Sequence, residues 1–432
     1  MQRGSRLRKP YLGTAAIAVA AACIVGLGYF GEHRAPHETA LAATGSLPPS
    51  SIASSLPSAT AATSEGPTTS GADGLQALTG LARLPLPPGR VTASSLPVRV
   101  VDRSMALVGP RLFYIVANYR IESSVIGSSS GPQTLAIAGP GESINGLAAA
   151  GGSLVYAVTS TGGAAAQPNS LGAALEVNWS VWLLDLRSGG RRQLANGTRY
   201  TNDFSDPELP IHVAVTTSAY AFDRPAPSPG ATGGETVEVH SLAGALLWSS
   251  PAPATVLDLM LGGSRLALLT QDAGSKTGPR TLWLSDATHP GPLEVSHPAS
   301  SASLSADGAY LAWDLGLVTG LSKQSLMSDV GIENTASGGV TFLRPPTTAS
   351  LLAPVGPSVS STPGGPVVAW LATAPSGLVY PAFSFGGRSA AGFFDALQQP
   401  VWLQVDGTRL TWVTERRDGG FATATATELT AS

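Results

Sequence analysis

The sequence predicts an all-β fold, a β-propeller of seven blades with six or eight as alternatives, preceded by one transmembrane helix and a disordered linker. Three observations lead to this prediction. One short strand pattern recurs seven times, its copies are spaced like propeller blades, and an uncharged apolar run followed by Ala, Ser, Thr and Pro occupies the N-terminal stretch.

The N-terminal stretch predicts a signal anchor. Residues 1–9 carry four basic side chains, and residues 10–31 carry no charge. A helix over this run would rise about 33 Å, enough to cross a hydrocarbon core of about 30 Å. By the positive-inside rule, residues 1–9 form a cytoplasmic tail and the rest of the chain lies outside a cell membrane crossed once. A cleaved signal peptide is the alternative, since Ala40 and Ala42 resemble a cleavage site.

Residues 32–95 predict a linker rather than a packed domain. Ala, Ser, Thr, Pro and Gly dominate the segment, and such a composition cannot bury a core. Within it, Leu75 to Leu84 predicts one or two helical turns. Cys23 is the sole cysteine of the chain, so no intramolecular disulfide can form.

The propeller domain is predicted over residues 96–432 from a recurring alternating strand. Six copies follow a tight turn with glycine, as hairpins favour. Four of the six intervals between copies fall between 42 and 47 residues, near the length of a blade, and the two longer ones predict insertions. The copies are Leu112–Val116, Leu154–Val158, Ala219–Phe222, Leu266–Leu269, Tyr310–Trp313, Val367–Trp370 and Leu410–Val413.

Two hairpin motifs resemble those of TolB-like and WD40-like β-propellers. Residues 303–313 read SLSADGAYLAW, and residues 184–194 read LDLRSGGRRQL. The resemblance covers about residues 96–430, and it implies a fold that serves many functions.

The last repeat supplies three strands where a blade has four. Its strands are predicted at Val401–Val405, Leu410–Glu415 and Phe421–Glu428. Val98–Asp102 is a predicted strand without a partner before the first repeat, so we expect it to fill the fourth place. Such closure removes exposed sheet edges.

Charge and metal-ligand patterns exclude several classes of function. The chain has 25 Lys and Arg against 28 Asp and Glu, a formal charge of −3, so no basic excess points to nucleic acid. The six histidines are scattered and match no zinc motif. We therefore expect no nucleic-acid partner, no metal and no cofactor.

Four residues are the candidate ligand-binding set. Asp203 and Asp206 belong to the densest acidic cluster, and His212 follows it closely. Asp258 is a lone acid inside the apolar run Thr255–Leu261, in a strand expected to be the innermost of its blade. These side chains would meet at the mouth of the propeller channel. The structural alternative is a solvated acidic loop and an aspartate satisfied by backbone amides.

The leading functional hypothesis is a binding module that presents its channel face to a protein or glycan at the cell envelope. The rival is an extracytoplasmic hydrolase or a degenerate quinoprotein-like enzyme with its site at the channel mouth. Val239–Trp248 resembles the tryptophan-docking motif of quinoprotein propellers, although it occurs once. Most tryptophans are expected to pack between blades rather than to present a carbohydrate platform.

Overall fold

The computed structural model describes strands and turns in the C-terminal four-fifths of the chain. All of them belong to one compact unit, Thr69–Ser432. The anchor predicted at 10–31 lies outside them, and among the residues described there is no helix with the length and apolarity to span a bilayer. The described residues are 74–77, 80–84, 92–96, 105–161, 175–201, 211–226, 235–271, 280–315, 329–344, 353–373, 379–385, 390–394, 400–415 and 422–429.

Thirty strands make up this described part. In chain order they are β1 (Gly74–Ala77), β2 (Gly80–Leu84), β3 (Thr92–Leu96), β4 (Met105–Val108), β5 (Arg111–Val116), β6 (Arg120–Val125), β7 (Gln133–Ile137), β8 (Glu142–Ala150), β9 (Ser153–Thr161), β10 (Leu175–Asp185), β11 (Arg191–Thr201), β12 (Val213–Val215), β13 (Ala219–Arg224), β14 (Thr236–Ser241), β15 (Leu246–Pro251), β16 (Thr255–Gly262), β17 (Arg265–Gln271), β18 (Arg280–Asp286), β19 (Leu293–Ser296), β20 (Ala302–Leu304), β21 (Tyr310–Asp314), β22 (Val330–Asn334), β23 (Gly339–Arg344), β24 (Ala353–Thr362), β25 (Gly365–Thr373), β26 (Val379–Phe385), β27 (Ala390–Phe394), β28 (Pro400–Asp406), β29 (Arg409–Glu415) and β30 (Ala422–Glu428).

The strands form seven sheets, which are the seven blades of a β-propeller. Blades 1 to 6 take four consecutive strands each, from β4 to β27, and blade 7 consists of β28, β29, β30 and β3. A separate hydrophobic cluster fills each of the seven seams between neighbouring blades, including the seam that joins blade 7 to blade 1. Because every seam is packed, the ring is closed, and the predicted all-β, seven-bladed fold is confirmed.

The seven predicted repeat strands are the second strands of the seven blades, from β5 to β29. Each is buried on both faces because the neighbouring blades pack against it, which explains its nearly continuous apolar sequence. The third copy lacks a turn glycine. There the Thr216 hydroxyl accepts hydrogen bonds from the amides of Ser218 (3.3 Å) and Ala219 (3.0 Å), a side-chain turn that replaces the glycine.

Three N-terminal strands extend the outer edges of blades 5, 6 and 7. β1 pairs in parallel with β23, β2 pairs in parallel with β27, and β3 pairs antiparallel with β30. The helical turns predicted at Leu75 to Leu84 are wrong, since this stretch forms β1 and β2. β3 occupies the closing position expected for Val98–Asp102, a stretch that lies outside the described residues. Strand addition uses backbone hydrogen bonds, so a linker-like composition does not prevent it.

The two ends of the blades differ in the length of their connections. We call the end where the first strand of each blade begins the loop face, and the opposite end the turn face; Glu142, Val213 and Thr255 begin strands at the loop face. Every connection longer than seven residues between β4 and β30 joins strand ends at the loop face. These connections are residues 162–174, 202–212, 225–235, 272–279, 315–329 and 345–352.

Candidate functional site

His212 lies at the loop face of blade 3 in a close pair with Asp223. The His212 amide donates a hydrogen bond to Asp223 Oδ1 (2.6 Å), and Nδ1 of its ring lies 2.7 Å from Oδ2 of the same carboxylate. Asp223 is buried and His212 nearly so. The pair therefore ties the connection that enters blade 3 to the end of β13.

Asp314 makes the same kind of tie in blade 5. Asp314 is the last residue of β21, just as Asp223 lies near the end of β13. Asp314 is 1% exposed. Its carboxylate accepts hydrogen bonds from the amides of Ser300 (3.0 Å) and Ser301 (2.9 Å) and from both of their hydroxyls. The recurrence of a buried aspartate at this position favours a structural role for the His212–Asp223 pair.

Glu235 extends this polar cluster toward blade 4. Its Oε2 accepts a hydrogen bond from the amide of Val256 (2.9 Å) in the first strand of that blade. Burial raises the pKa of the Glu235 carboxyl, and the nearby charge of Asp223 raises it further. Glu235 thus links two blades through a single backbone contact.

Asp258 lies on β16, the innermost strand of blade 4, next to an irregularity in the pairing of β16 with β17. Its Oδ1 accepts a hydrogen bond from the amide of Leu259 (3.0 Å). Asp203 and Asp206 lie outside the described residues. The convergence of all four predicted residues therefore stays a prediction, and within the described residues no group of three His, Cys, Asp or Glu is placed to hold a metal ion.

A polar cleft of about 310 Å³ opens on blade 2 near the loop face. Its walls come from β9, β10, β11 and the start of β8, and most of its side chains carry amide or hydroxyl groups. The lining residues are Glu142, Val158, Thr159, Ser160, Asn178, Trp179, Ser180, Gln193, Asn196, Gly197 and Thr198.

Strand register explains how these side chains meet. Ser160, Asn178 and Thr198 lie opposite one another across β9, β10 and β11, and Glu142 on β8 continues the row. Val158, Ser180 and Asn196 form the next row along the same face. Alternation places both rows on the side that faces blade 1, since Val158 belongs to the hydrophobic cluster of that seam.

The cleft exists because blade 2 is longer than its neighbour. β10 and β11 have 11 residues each, whereas the outer strands of blade 1, β6 and β7, have six and five. Blade 1 can therefore cover the part of the blade 2 face that lies beside β6 and β7. It leaves uncovered the part of that face near the loop face, where β10 and β11 extend farther. The polar residues Asn196 and Thr198 occupy that uncovered part and are exposed, and Gln193, closer to the turn face, is exposed as well.

Hydrogen bonds orient some of the polar groups in the cleft. The Thr198 hydroxyl donates to Oδ1 of Asn178 (2.7 Å), and the Trp182 indole donates to the Ser180 hydroxyl (2.9 Å). Glu142 accepts a hydrogen bond from the amide of Gly139 at Oε2 (2.7 Å). Glu142 is the one ionisable side chain among the eleven that line the cleft.

Trp179 and Gly197 lie between the two polar rows and are also among the residues that line the cleft. They lie opposite each other on β10 and β11, and a Cβ added at Gly197 would come within 2.7 Å of Cζ2 of the indole. The Trp179 side chain is only 4% exposed because it packs in the seam between blades 2 and 3, on the opposite face of the sheet from the two polar rows.

The sequence pattern did not predict this cleft, although the hairpin beside it, at residues 184–194, was predicted. The available signal was the alternation of polar residues just outside the predicted hairpin, Asn178 and Ser180 before it and Asn196 and Thr198 after it. Alternation marks one face of a strand, but the length of the neighbouring blade, which leaves that face open, is a property of the assembled ring.

No family model and no curated protein sequence matches this chain. Solved structures similar to it include an oligogalacturonate lyase in complex with manganese, at 11% identity and a TM-score of 0.38 over 74% of each chain. The β-propeller domain of the Trilobed protease from Pyrococcus furiosus has 10% identity and a TM-score of 0.41 over 63% of this chain and 79% of its own. BamB from Moraxella catarrhalis has 12% identity and a TM-score of 0.35 over 78% of this chain and 100% of its own.

Proposed function

We propose that this chain is a glycan-binding propeller, held at the outer surface of a membrane by residues 10–31, and that the blade 2 cleft is its binding site. The observation that supports the proposal most directly is the chemistry of that cleft. Amide and hydroxyl side chains both donate and accept hydrogen bonds, as sugar hydroxyls do. A small open cleft of this kind fits a hydroxyl-rich ligand without a large apolar surface.

Other ligand classes fit the cleft less well. An apolar ligand would leave the amides and hydroxyls without hydrogen-bond partners, which costs free energy. A protein partner usually buries aromatic or arginine side chains at the centre of its interface, and the tryptophan of the cleft is itself buried. Glycoside hydrolysis commonly uses a pair of carboxyl groups, and the cleft lining contains one. Binding is therefore favoured over hydrolysis.

The arrangement of loops also supports a binding role. Binding residues concentrate in loops held on a rigid scaffold. The long connections of this propeller all emerge at the loop face, where the cleft opens. The tight hairpins of the turn face offer much less chain for recognition.

The binding test uses the full-length chain, purified with detergent, and neutral oligosaccharides measured by isothermal titration calorimetry. We expect the double variant Asn178→Ala/Asn196→Ala to weaken binding by about tenfold, because each neutral hydrogen bond contributes about 1 kcal/mol. Gln133→Ala, which removes an exposed amide on the outer strand of blade 1, is the control. Failure of all tested oligosaccharides, neutral and charged, to bind would refute the proposed function, and unchanged binding by the double variant would place the site elsewhere.

The membrane proposal has its own test. We expect the chain to stay in the membrane fraction after alkaline carbonate extraction and to dissolve only with detergent. Protease added to intact cells should digest residues 32–432. Protection of these residues in intact cells would refute the proposed orientation.

A further inference from the structure

The charge of the cleft narrows the class of glycan that it fits. Glu142 is ionisable and the other ten lining side chains are neutral. We infer that the blade 2 cleft recognises a saccharide that carries a protonated amine, with the Glu142 carboxylate as the group that binds the ammonium. This inference rests on the proposed glycan-binding function.

The Glu142 carboxylate is held in position at one end of the polar row. Glu142 lies directly opposite Ser160 across β8 and β9, and the row continues to Asn178. The amide of Gly139 binds one carboxylate oxygen. Two carboxylate oxygens together offer about four acceptor positions, so this contact leaves capacity for an ammonium group. The side chain is exposed, so a ligand can reach it.

Glu176 adds a second carboxylate at the edge of the same face. It precedes Asn178 by two residues on β10, so both side chains point toward the same side of the sheet. Glu176 lies opposite Tyr200 across β10 and β11. It is two residues closer than Asn178 to the loop-face end of β10. The open end of the cleft is therefore acidic.

The basic side chains Arg191 and Arg120, of blades 2 and 1, lie away from Glu142. Arg199, beside Thr198 on β11, is 6% exposed and points to the opposite face of the sheet. Arg191 lies at the turn-face end of β11, where its guanidinium stacks 5.1 Å from the centre of the Trp182 ring and 5.8 Å from that of Tyr156. Arg120, in the neighbouring blade, pairs with Glu122 at 2.8 Å. A ligand amine at Glu142 would thus meet a local negative charge, whereas a ligand carboxylate would be repelled there.

The test compares three β-1,4-linked oligosaccharides of equal length that differ at one ring position: chitosan oligomers with an amine, chitin oligomers with an acetamide and cello-oligomers with a hydroxyl. At about pH 5.5 the amine is protonated and most glutamate side chains are ionised. We expect the full-length chain to bind the chitosan oligomer at least tenfold more tightly than the other two, as charge-assisted hydrogen bonds allow.

Glu142→Gln should remove this preference, so that the affinity for the chitosan oligomer lies within about twofold of that for the chitin and cello-oligomers. Glu176→Gln should weaken the preference less, and Glu294→Gln, at an exposed glutamate of blade 4, should leave it unchanged. Equal binding of all three oligomers, or a preference that survives Glu142→Gln, would overturn the inference and leave the glycan-binding proposal intact. No binding of any of the three oligomers would overturn the inference and would also count against the proposed function.

Discussion

The carboxylate of Asp223 binds both the backbone and the side chain of His212. Oδ1 accepts the His212 amide at 2.6 Å, and Oδ2 lies 2.7 Å from Nδ1 of the imidazole. One acidic side chain thereby fixes both the course of the chain into blade 3 and the orientation of the ring. The His212 ring is therefore held in one orientation at the loop face, and its role as a ligand stays a prediction.

We predict that Asp223→Ala lowers the free energy of unfolding by about 3 kcal/mol or more, because the His212 amide and ring lose their buried acceptor. Urea denaturation followed by tryptophan fluorescence measures the change. Asp406→Ala, at an exposed aspartate that ends β28, should change stability by less than about 0.5 kcal/mol. A stable Asp223→Ala protein that no longer binds oligosaccharide would instead assign this pair to the binding site.

A substitution at Leu96 tests whether β3 closes the ring by completing blade 7. The Leu96 side chain on β3 is 1% exposed and packs in the seam between blades 7 and 1. We predict that Leu96→Ala lowers the free energy of unfolding by about 2–5 kcal/mol, through lost burial and the cavity left behind. Leu293→Ala is the matched control, because that leucine is 65% exposed on the outer strand of blade 4. Equal stability of the two variants would show that β3 does not close blade 7.

The buried phenol of Tyr114 should make the folded protein less stable at alkaline pH. Burial raises the pKa of this phenol to about 12, from a reference value near 10. The unfolded chain therefore loses this proton at lower pH than the folded chain does. The stabilisation is fully present below about pH 10 and is lost as the pH rises toward about 12, by roughly 2–3 kcal/mol.

Urea denaturation at a series of pH values between about 8 and 12 measures this loss. Tyr114→Phe should flatten the alkaline decline, since phenylalanine has no proton to lose. Tyr119→Phe, which alters a ring that is 44% exposed, should leave the decline unchanged. An identical decline in wild type and Tyr114→Phe would refute the assignment.

The sequence predicted the blade core well, because one physical requirement dictates it. The second strand of each blade packs between two neighbouring blades, so apolar residues must recur there, as at Leu154–Val158. β1 and β2 left no such pattern, because an added edge strand is held by its backbone. The tie between His212 and Asp223 was equally hidden, since residues 11 apart in sequence meet only when β12 and β13 pair.

Two glycines, Gly197 and Gly331, have equivalent surroundings, but only Gly197 lines the cleft. We therefore expect their alanine variants to differ in oligosaccharide binding. Gly197 lies opposite Trp179, and Gly331 lies opposite Trp313 on the cross-strand partner. A Cβ at either glycine would press into the indole ring beside it. We predict that Gly197→Ala and Gly331→Ala each lower the free energy of unfolding by about 1–3 kcal/mol, because the tryptophan must shift within a packed seam.

Only Gly197→Ala should also weaken oligosaccharide binding, because Gly197 lies between Asn196 and Thr198 in the cleft lining, whereas Gly331 lies in blade 5. Calorimetric titration at a temperature where both variants are folded separates affinity from stability. An affinity lowered equally in both variants would mean that binding follows the general stability of the propeller. An affinity unchanged in both would show that displacing Trp179 behind the sheet does not disturb the polar rows formed by Asn178, Ser180, Asn196 and Thr198.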